Sequence, residues 1–339
     1  MTAYTRRQLV QGAGLAGLGL LAGCGRSPGQ APPPPSAPRI GLLSGGRGGA
    51  VPSRDAFLAG LRELGYVEGQ DIVIEYRSVA AQADQYDAVA FAFAVELVHL
   101  PVDVLVVVGA RPTQAAKSAT STTPIVIAFT SEDPVAAGLV ASLAQPGGNV
   151  TGLSAISPQL SGKRLELVKE TVGGGAPIAV LWNAANPAPR ARFEETQAAA
   201  QVLGVPVQSL AVREASDLDS AFEAAVRERA VALIALRDSL TLSSQAQLVE
   251  LAAKHRLPAM YEDRVWTDAG GLMAYGPSRS AMFRRGSYYV DRILKGATPA
   301  DLPVEQPREF EFVINLRTAQ ALGLTIPHHV LAQATEVIQ

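Results

Sequence analysis

The sequence predicts an α/β protein with two lobes, each a parallel β-sheet with helices on both faces. The first observation is that short, almost wholly apolar runs alternate with amphipathic helical patterns from residue 39 onwards. The second is that this series of strands and helices occurs twice. Apolar runs without polar alternation are typical of strands covered on both faces, and strand–helix alternation produces right-handed crossovers in a parallel sheet.

The first series contains four buried strands and three helices. The strands are predicted at Arg39–Leu43, Ile72–Tyr76, Val104–Val108 and Ile125–Phe129. The helices, each with its apolar residues on one stripe, are predicted at Arg54–Leu64, Tyr86–Val98 and Pro134–Leu143. One sheet with helices between its strands accounts for this half of the chain.

The second series repeats the first. Its strands are predicted at Ile178–Trp182, Val205–Val212, Ala232–Leu236 and Pro258–Tyr261. Its helices are predicted at Arg190–Leu203, Leu218–Arg229 and Ser244–His255. Leu203-Gly204 ends the first helix of the second series as Leu64-Gly65 ends that of the first series. Tyr261 likewise ends the fourth strand of the second series as Phe129 ends that of the first. We therefore expect two Rossmann-like lobes of one topology, although any α/β chain can show chance offsets.

The N-terminus predicts export and lipid attachment. Arg6-Arg7 precedes an uncharged run that ends in Leu21-Ala22-Gly23, directly before Cys24, the single cysteine of the chain. The paired arginines resemble a twin-arginine export signal, and Leu-Ala-Gly-Cys resembles the bacterial lipobox. Residues 1–23 are thus predicted to be a signal peptide and Cys24 the lipidated residue. The alternative is a short transmembrane anchor, for which the apolar run is too short.

Composition limits the class of protein further. Residues 24–38 contain six prolines and almost no apolar side chains, which is typical of a semi-extended tether. The chain has 29 basic and 31 acidic residues, no basic run and only 6% aromatic residues, which argues against nucleic acid as a partner. Because Cys24 is the single cysteine, no disulfide can form within the chain, so packing alone must stabilise the body.

Motif searches give little support for catalysis. The Gly12–Gly17 segment matches G-x-G-x-x-G but lies inside the signal peptide and follows no strand. The Ser44–Gly49 loop does join a first strand to a first helix, where its backbone could hold an anion or simply make a turn. The sequence has no G-x-S-x-G, no H-E-x-x-H and no metal-ligand spacing, so we predict no cofactor and no metal.

Ligands of such sheets bind outside the carboxyl ends of the strands, so candidate binding residues are sought there. In the first lobe they are Ser44, Gly46, Ala110, Thr113, Ser131 and Asp133. In the second they are Asn183, Asp238, Tyr261 and Glu262. Asp238 could accept a ligand ammonium group or cap the following helix, and Thr113 and Ser131 could equally bind a carboxylate or cap. Tyr261 could form an aromatic wall or pack in the core, and Asn183 could bind ligand or hold a turn.

Several segments resemble those of the ABC transporter substrate-binding protein family. They are Gly148–Gly152, Lys163–Leu167, Gly270–Gly276, Asp291–Gly296, Leu302–Pro307 and Ile314–Ala319. The resemblance implies a type I periplasmic-binding fold and capture of a small polar or amino-acid-like ligand for an importer. Many relatives read Gly-Asp-Pro after the fourth strand, whereas this chain reads Glu132-Asp133-Pro134, which adds a carboxylate near the cleft.

The resemblance also implies how the lobes connect. The chain would cross near 153–158, 275–278 and 304–307, with helix Ala281–Lys295 returning to lobe one and Phe310–Ile314 joining lobe two. Lobe one would comprise residues 39–155 and 277–304, and lobe two residues 156–276 and 305–339. These crossings would form a multi-crossover hinge with a cleft between the lobes.

We therefore expect a solute-binding lipoprotein rather than an enzyme. Its expected partners are a small-molecule ligand, the permease subunits of an ABC importer, and the membrane through Cys24. It would be anchored to a bacterial membrane outside the cytoplasm. One alternative is a secreted enzyme that uses Asp133, Asp238 or Glu262 as acid or base, and another is a ligand-sensing protein of a signalling system.

Overall fold

The computed structural model describes residues 37–45, 51–79, 85–155 and 159–339. Within them lie twelve strands: β1 Arg39–Ser44, β2 Val73–Ser78, β3 Val104–Val108, β4 Ile125–Phe129, β5 Val150–Gly152, β6 Ile178–Asn183, β7 Val207–Val212, β8 Ala232–Ala235, β9 Ala259–Tyr261, β10 Met273–Pro277, β11 Phe310–Asn315 and β12 Glu336–Ile338. The predicted signal peptide, Cys24, most of the tether and Gly46 lie outside the described residues.

The same residues contain the helices α1 Val51–Glu63, α2 Tyr86–His99, α3 Ala110–Ala119, α4 Gln159–Val172, α5 Pro187–Leu203, α6 Asp217–Arg227, α7 Ser239–Ser243, α8 Gln245–Lys254, α9 Val265–Asp268, α10 Arg279–Leu294, α11 Leu316–Leu322 and α12 His328–Leu331. A 3₁₀ turn lies at Pro299–Asp301. In this part of the chain, no helix is both long and apolar enough to cross a membrane.

The strands form two sheets of matching order, which confirms the predicted duplication. One sheet runs β2-β1-β3-β4-β5 with every pair parallel. The other sheet begins with β7-β6-β8-β9-β10, which repeats the strand order of the first sheet with the strands of the second series, and it continues through β11 and β12. Strand β11 pairs antiparallel with β10, an addition that the parallel repeat does not contain. We call the first sheet with its helices lobe one and the second lobe two.

Each sheet is covered on both faces. One face of the first sheet packs against α1 and α10 through side chains such as Phe57, Phe283 and Tyr289. The other face packs against α2 and α3. Helices α1 and α10 approach closely at Gly60, where a Cβ would lie 2.2 Å from Ser287 Oγ. The second sheet likewise has one cluster on each face. Two-sided burial explains why the central strands are unbroken apolar runs, whereas the edge strands β2 and β7 are only partly buried, so the prediction of a buried strand at Ile72–Tyr76 is wrong in that respect.

The chain passes between the sheets at three places in the described residues, and hydrogen bonds join these segments. Leu153 pairs with Glu305 as an isolated parallel bridge, and Ser154 N donates to Glu305 O at 2.9 Å. Glu305 N donates to Gly152 O at 2.9 Å, and Ser278 N donates to Glu309 O at 2.9 Å. The connecting segments therefore form one hydrogen-bonded hinge.

The helix predicted at Pro134–Leu143 is wrong. The segment is a series of turns, in which Ala137 N donates to Asp133 O before Gly138 takes a positive φ of 67°. Leu139 and Val140 are buried, so the apolar spacing that suggested a helix reflects core contacts made by a non-helical segment. A left-handed residue ends a helical turn because the chain can no longer continue the i to i−4 ladder.

Candidate functional site

A cleft lies between the two sheets, at the carboxyl ends of their parallel strands, and it contains two adjoining cavities. Their volumes are about 410 Å³ and about 450 Å³. The two cavities share six of their lining residues, which come from both lobes: Phe129, Ser131, Glu132, Arg192, Arg237 and Arg279. Shared walls make the two cavities parts of one site, at the place where ligands of doubly wound sheets bind.

Arg279, the first residue of α10, carries a charge that the protein does not neutralise directly. Its guanidinium lies over the Phe129 ring at 4.0 Å and near the Phe283 ring at 5.6 Å. Its Nη1 is buried without a hydrogen-bond partner, and it forms no ion pair among the residues described. Burial and then the charge of Arg237 lower the pKa of Arg279 to about 9, so it remains a cation at neutral pH.

Glu262, which directly follows β9, is the centre of a buried ionic network. It accepts hydrogen bonds from Arg164 Nη1 at 3.0 Å, from Arg192 Nη1, and from the backbone N–H of Arg237 at 2.9 Å. Burial acts to raise the pKa of Glu262, but Arg192, Arg164 and that N–H together lower it below its ordinary value. A carboxylate held ionised in this way is a structural anion and not a proton donor.

The same network connects the helices of lobe two to its strand ends. Arg164 on α4 also donates from Nε to Tyr275 O at 2.8 Å, just before the chain leaves lobe two. Arg237, which follows Leu236 just after β8, pairs with Asp263 at 3.0 Å. The three arginines of this wall, Arg164, Arg192 and Arg237, are therefore paired with carboxylates of lobe two before any ligand binds.

Glu132, on the loop after β4, contrasts with these paired charges. Its carboxylate forms no ion pair or side-chain hydrogen bond within the described part of the chain, although it lines both cavities. Burial raises the pKa of Glu132, an effect that Arg192 and Arg111 oppose from a distance and Asp238 reinforces. A carboxylate left in this state is available to a ligand cation.

Asp238 caps α7 and also faces the first cavity. Its side chain accepts a hydrogen bond from Thr241 N at 2.9 Å, and Thr241 Oγ1 accepts one from Asp238 N at 2.8 Å, which completes a capping box. The amide of Asn183 donates to its other oxygen. The cap is therefore observed, and binding of a ligand ammonium group by Asp238 stays a prediction, since a capping carboxylate retains lone pairs and has no cationic partner among the described residues.

Six of the ten predicted binding residues line the cleft, and three do not. Those at the cleft are Ser44, Ala110, Ser131, Asp133, Asp238 and Glu262. Thr113 is fully buried and donates to Gly109 O at 2.7 Å, so it holds the start of α3. Asn183 donates a side-chain hydrogen bond to Asp238 and so orients its carboxylate. Tyr261 is fully buried and stacks on Trp266 at 4.7 Å, so it belongs to the core, and Phe129 supplies the aromatic wall.

Five arginines line the cleft, namely Arg111, Arg164, Arg192, Arg237 and Arg279, and none was among the predicted residues. Arg164 and Arg192 lie within helices, and Arg279 begins one, so a search of strand ends passes over them. Arg164 stands in one of the segments that carry the family resemblance, and Arg237 is the neighbour of Asp238. These two positions in the sequence were the signals that could have identified Arg164 and Arg237 as residues of the cleft. No group of three or more metal-ligating side chains occurs in the part of the chain described.

Comparison with known proteins assigns the fold and family. Residues 49–338 match the profile of the family described as ABC transporter substrate binding protein. The chain belongs to this family. The two mostly parallel sheets flanked by helices form the fold of a type I periplasmic binding protein, as in its structural neighbours.

Three relatives of this substrate-binding protein span most of its length. A tyrosine-binding protein of Clostridioides difficile strain R20291 is 27% identical over 273 residues, which cover 80% of this chain and 76% of the relative. A crystal structure titled ABC domain in complex with L-Trp, from Streptococcus pneumonia, is 27% identical with a TM-score of 0.80, covering 89% and 100% of the two chains. A conserved domain protein of Vibrio cholerae is 29% identical with a TM-score of 0.81, covering 89% and 99%.

Proposed function

We propose that this substrate-binding protein captures an amino-acid-like ligand in its interlobe cleft for an ABC importer. The observation that carries the proposal is a set of opposite charges that the protein itself leaves unpaired. Arg279 lines the same cavity as Glu132 and Asp238, and its buried Nη1 has no hydrogen-bond partner among the described residues. An α-carboxylate would pair with the guanidinium, and an α-ammonium group with one of the two carboxylates.

The side chain of such a ligand would have an apolar wall available. Part of the second cavity is apolar: Ala136, Ala155, Leu160 and Ala188 line it beside several charged residues, and it shares the Phe129 ring with the first cavity. The relatives described as binding tyrosine and L-Trp support an amino acid as the ligand class. Charged ends in one cavity and an apolar body in the other would orient the ligand.

Closure of the lobes would follow from this arrangement without any chemical step. Glu132 belongs to lobe one, Arg192 and Asp238 to lobe two, and Arg279 to the hinge side of α10. A ligand that contacts all of them binds the closed form better than the open one, and that difference in affinity shifts the population. Permease subunits that recognise the closed form would then receive the ligand.

Arg279→Gln is expected to weaken amino-acid binding by ~2–5 kcal/mol, because it removes the cation that pairs with the ligand carboxylate. The measurement is a thermal-shift screen of the proteinogenic amino acids on the natural protein, followed by calorimetry of each binder with the variant. Arg284→Gln is the matched control, since Arg284 lies on the same helix, is exposed and pairs with Glu63. The proposal fails if no amino acid binds the natural protein, or if both variants bind equally well.

Lipid attachment at Cys24 is part of the same proposal. The segment Leu21-Ala22-Gly23-Cys24 supports it, and the proline-rich stretch that follows would separate the body from the membrane. Cys24→Ala is expected to release the protein from the membrane fraction, because it removes the residue to which the lipid would be attached. Detergent-phase partitioning of the two proteins measures this. Unchanged partitioning of the variant would contradict the anchor.

A further inference from the structure

Two guanidinium groups share the carboxylate of Glu262, so its negative charge does not neutralise both of them. Arg164 and Arg192 each donate from Nη1 to one of its two oxygens. Burial lowers the pKa of Arg164, Glu262 opposes that effect, and the charge of Arg192 adds to it. The two arginines therefore keep one positive charge in excess of their shared carboxylate.

Arg192 is the member of this pair that faces the whole cleft. It lines both cavities, whereas Arg164 lines only the second. The side chain of Arg192 is 14% exposed and that of Arg164 only 5%. Arg237 and Arg111, which also line the first cavity, each pair with a carboxylate of their own. The excess positive charge of the network therefore meets the cleft at Arg192.

Arg192 also has hydrogen-bond donors that the protein does not use. Among the described residues, its side chain donates to Glu262 and to Arg237 O, which occupies fewer N–H groups than a guanidinium carries. Its Nε is buried without a hydrogen-bond partner in the same part of the chain, as is Nη1 of Arg279. A carboxylate is the acceptor that suits such a planar fork of donors.

Arg192 and Arg279 belong to opposite lobes. Arg192 lies on α5 of lobe two, and Arg279 begins α10, which packs on the sheet of lobe one. Both residues line both cavities. A carboxylate that accepts hydrogen bonds from the two guanidinium groups would connect the lobes through one ligand group, and this contact would favour the closed form.

We infer that Arg192 is a specificity-determining residue that binds the ligand carboxylate together with Arg279 and so holds this group between the two lobes. The inference rests on the proposed function and deepens it, because it adds a residue of lobe two to the recognition of the carboxylate. The α-ammonium group stays with one of the two carboxylates, Glu132 or Asp238.

Amino acids and their primary carboxamides test this role, because the amide removes the negative charge of the ligand and keeps its shape. The probes are L-tryptophan, L-tyrosine and the proteinogenic amino acid with the largest thermal shift, each compared with its carboxamide by calorimetry. At about pH 6 the α-amino groups are protonated. The natural protein is expected to bind the acid about a hundredfold or more tightly than the amide. Arg192→Gln should reduce this preference about tenfold or more, chiefly by weakening binding of the acid.

Three further variants separate ligand binding from the structural role of the network. Arg164→Gln removes the other partner of Glu262, so it should change the affinities for acid and amide by the same factor. Arg190→Gln is the control on α5, since Arg190 is exposed and pairs with Glu194, and it should change neither affinity. Arg192→Lys keeps a charge beside Glu262 but lacks the planar fork, so it should reduce the preference by a smaller factor, about threefold.

Equal weakening of acid and amide by Arg192→Gln would give Arg192 a structural role only and overturn the inference. An unchanged preference in Arg192→Gln, or in Arg192→Lys if the first variant does not fold, would overturn it as well. So would equal binding of acid and amide by the natural protein. Loss of the preference in Arg279→Gln but not in the Arg192 variants would overturn the inference and leave the proposed function standing. If no amino acid binds the natural protein, both proposals fall together.

Discussion

Arg164→Met should lower the free energy of unfolding by ~3–5 kcal/mol, the range for breaking a buried ion pair by removing one partner. The Arg164 side chain is 5% exposed and that of Glu262 7%, so water cannot replace the lost contacts. The substitution also leaves Tyr275 O without the N–H that Arg164 Nε provides. Methionine keeps much of the volume, so the loss is electrostatic and not a cavity effect.

Urea unfolding measures this loss, and the two tryptophans help to locate it. Trp182 and Trp266 both belong to lobe two, so tryptophan fluorescence follows that lobe while circular dichroism follows the whole chain. Lys163→Met is the matched control, because Lys163 is partly exposed and its pairing with Glu166 contributes about 0–1 kcal/mol. Similar loss in both variants would show that the network does not stabilise the fold.

The network also gives the Arg164→Met result a pH dependence. Because the pKa of Glu262 is lowered in the folded state, its contribution is present above its unfolded pKa of about 4.3 and is lost as pH falls towards the folded value. Removing Arg164 takes away one of the charges that lower this pKa. The difference between the natural protein and the variant should therefore be largest at neutral pH and shrink on the acid side.

Gly152→Ala is expected to cost ~2–5 kcal/mol of stability in lobe one, from backbone strain and steric overlap together. Gly152 has a φ of 129°, which an L side chain rarely adopts. A Cβ there would lie 2.2 Å from Ile127 O and 2.5 Å from Ile127 N, both in the backbone of β4. No rotamer change can relieve contact with backbone atoms, so the strands must separate.

Gly162→Ala is the control for Gly152→Ala. Gly162 lies within α4, and its added Cβ would meet Ala199 Cβ at an ordinary 3.6 Å. This change should raise stability by ~0.5–1 kcal/mol, because alanine loses less entropy in a helix than glycine. For Gly152→Ala, circular dichroism should report the loss before tryptophan fluorescence does. Full stability in Gly152→Ala would mean that β4 and β5 separate at little cost.

The strands and their order were predictable because burial on both faces leaves a local signature. All eight predicted strands exist, with ends that differ by at most two residues, and the equivalence of Leu64-Gly65 and Leu203-Gly204 reflects a real repeat. Helix α3 was not predicted, because the residues Gly109–Thr113 that follow β3 were interpreted as a loop. The strand does end there, but the helix begins directly afterwards. Local pattern thus identified the layers but not every boundary.

The charged part of the site was less predictable for a different reason. Whether an arginine is a surface charge or a buried partner depends on what lies opposite it in space. Arg192 and Glu262 are 70 residues apart, and Arg164 and Tyr275 are 111 apart, so no local pattern links them. Strand-end loops did reveal Asp238 and Glu262, because the fold brings all strand ends of a parallel sheet to one edge.

The return of α10 to the first sheet determines when that lobe can finish folding. Residues 39–152 contain all five strands of lobe one, yet Val126 and Ala128 gain the cover of Met282 and Phe283 only after residue 283 has been made. Lobe two needs β11 in the same way. Emerging chain therefore exposes apolar strand faces until synthesis is nearly complete, and folding is governed by contacts of long sequence separation, which form slowly. We therefore expect chaperone binding to matter more for the folding of this chain than its modest size suggests.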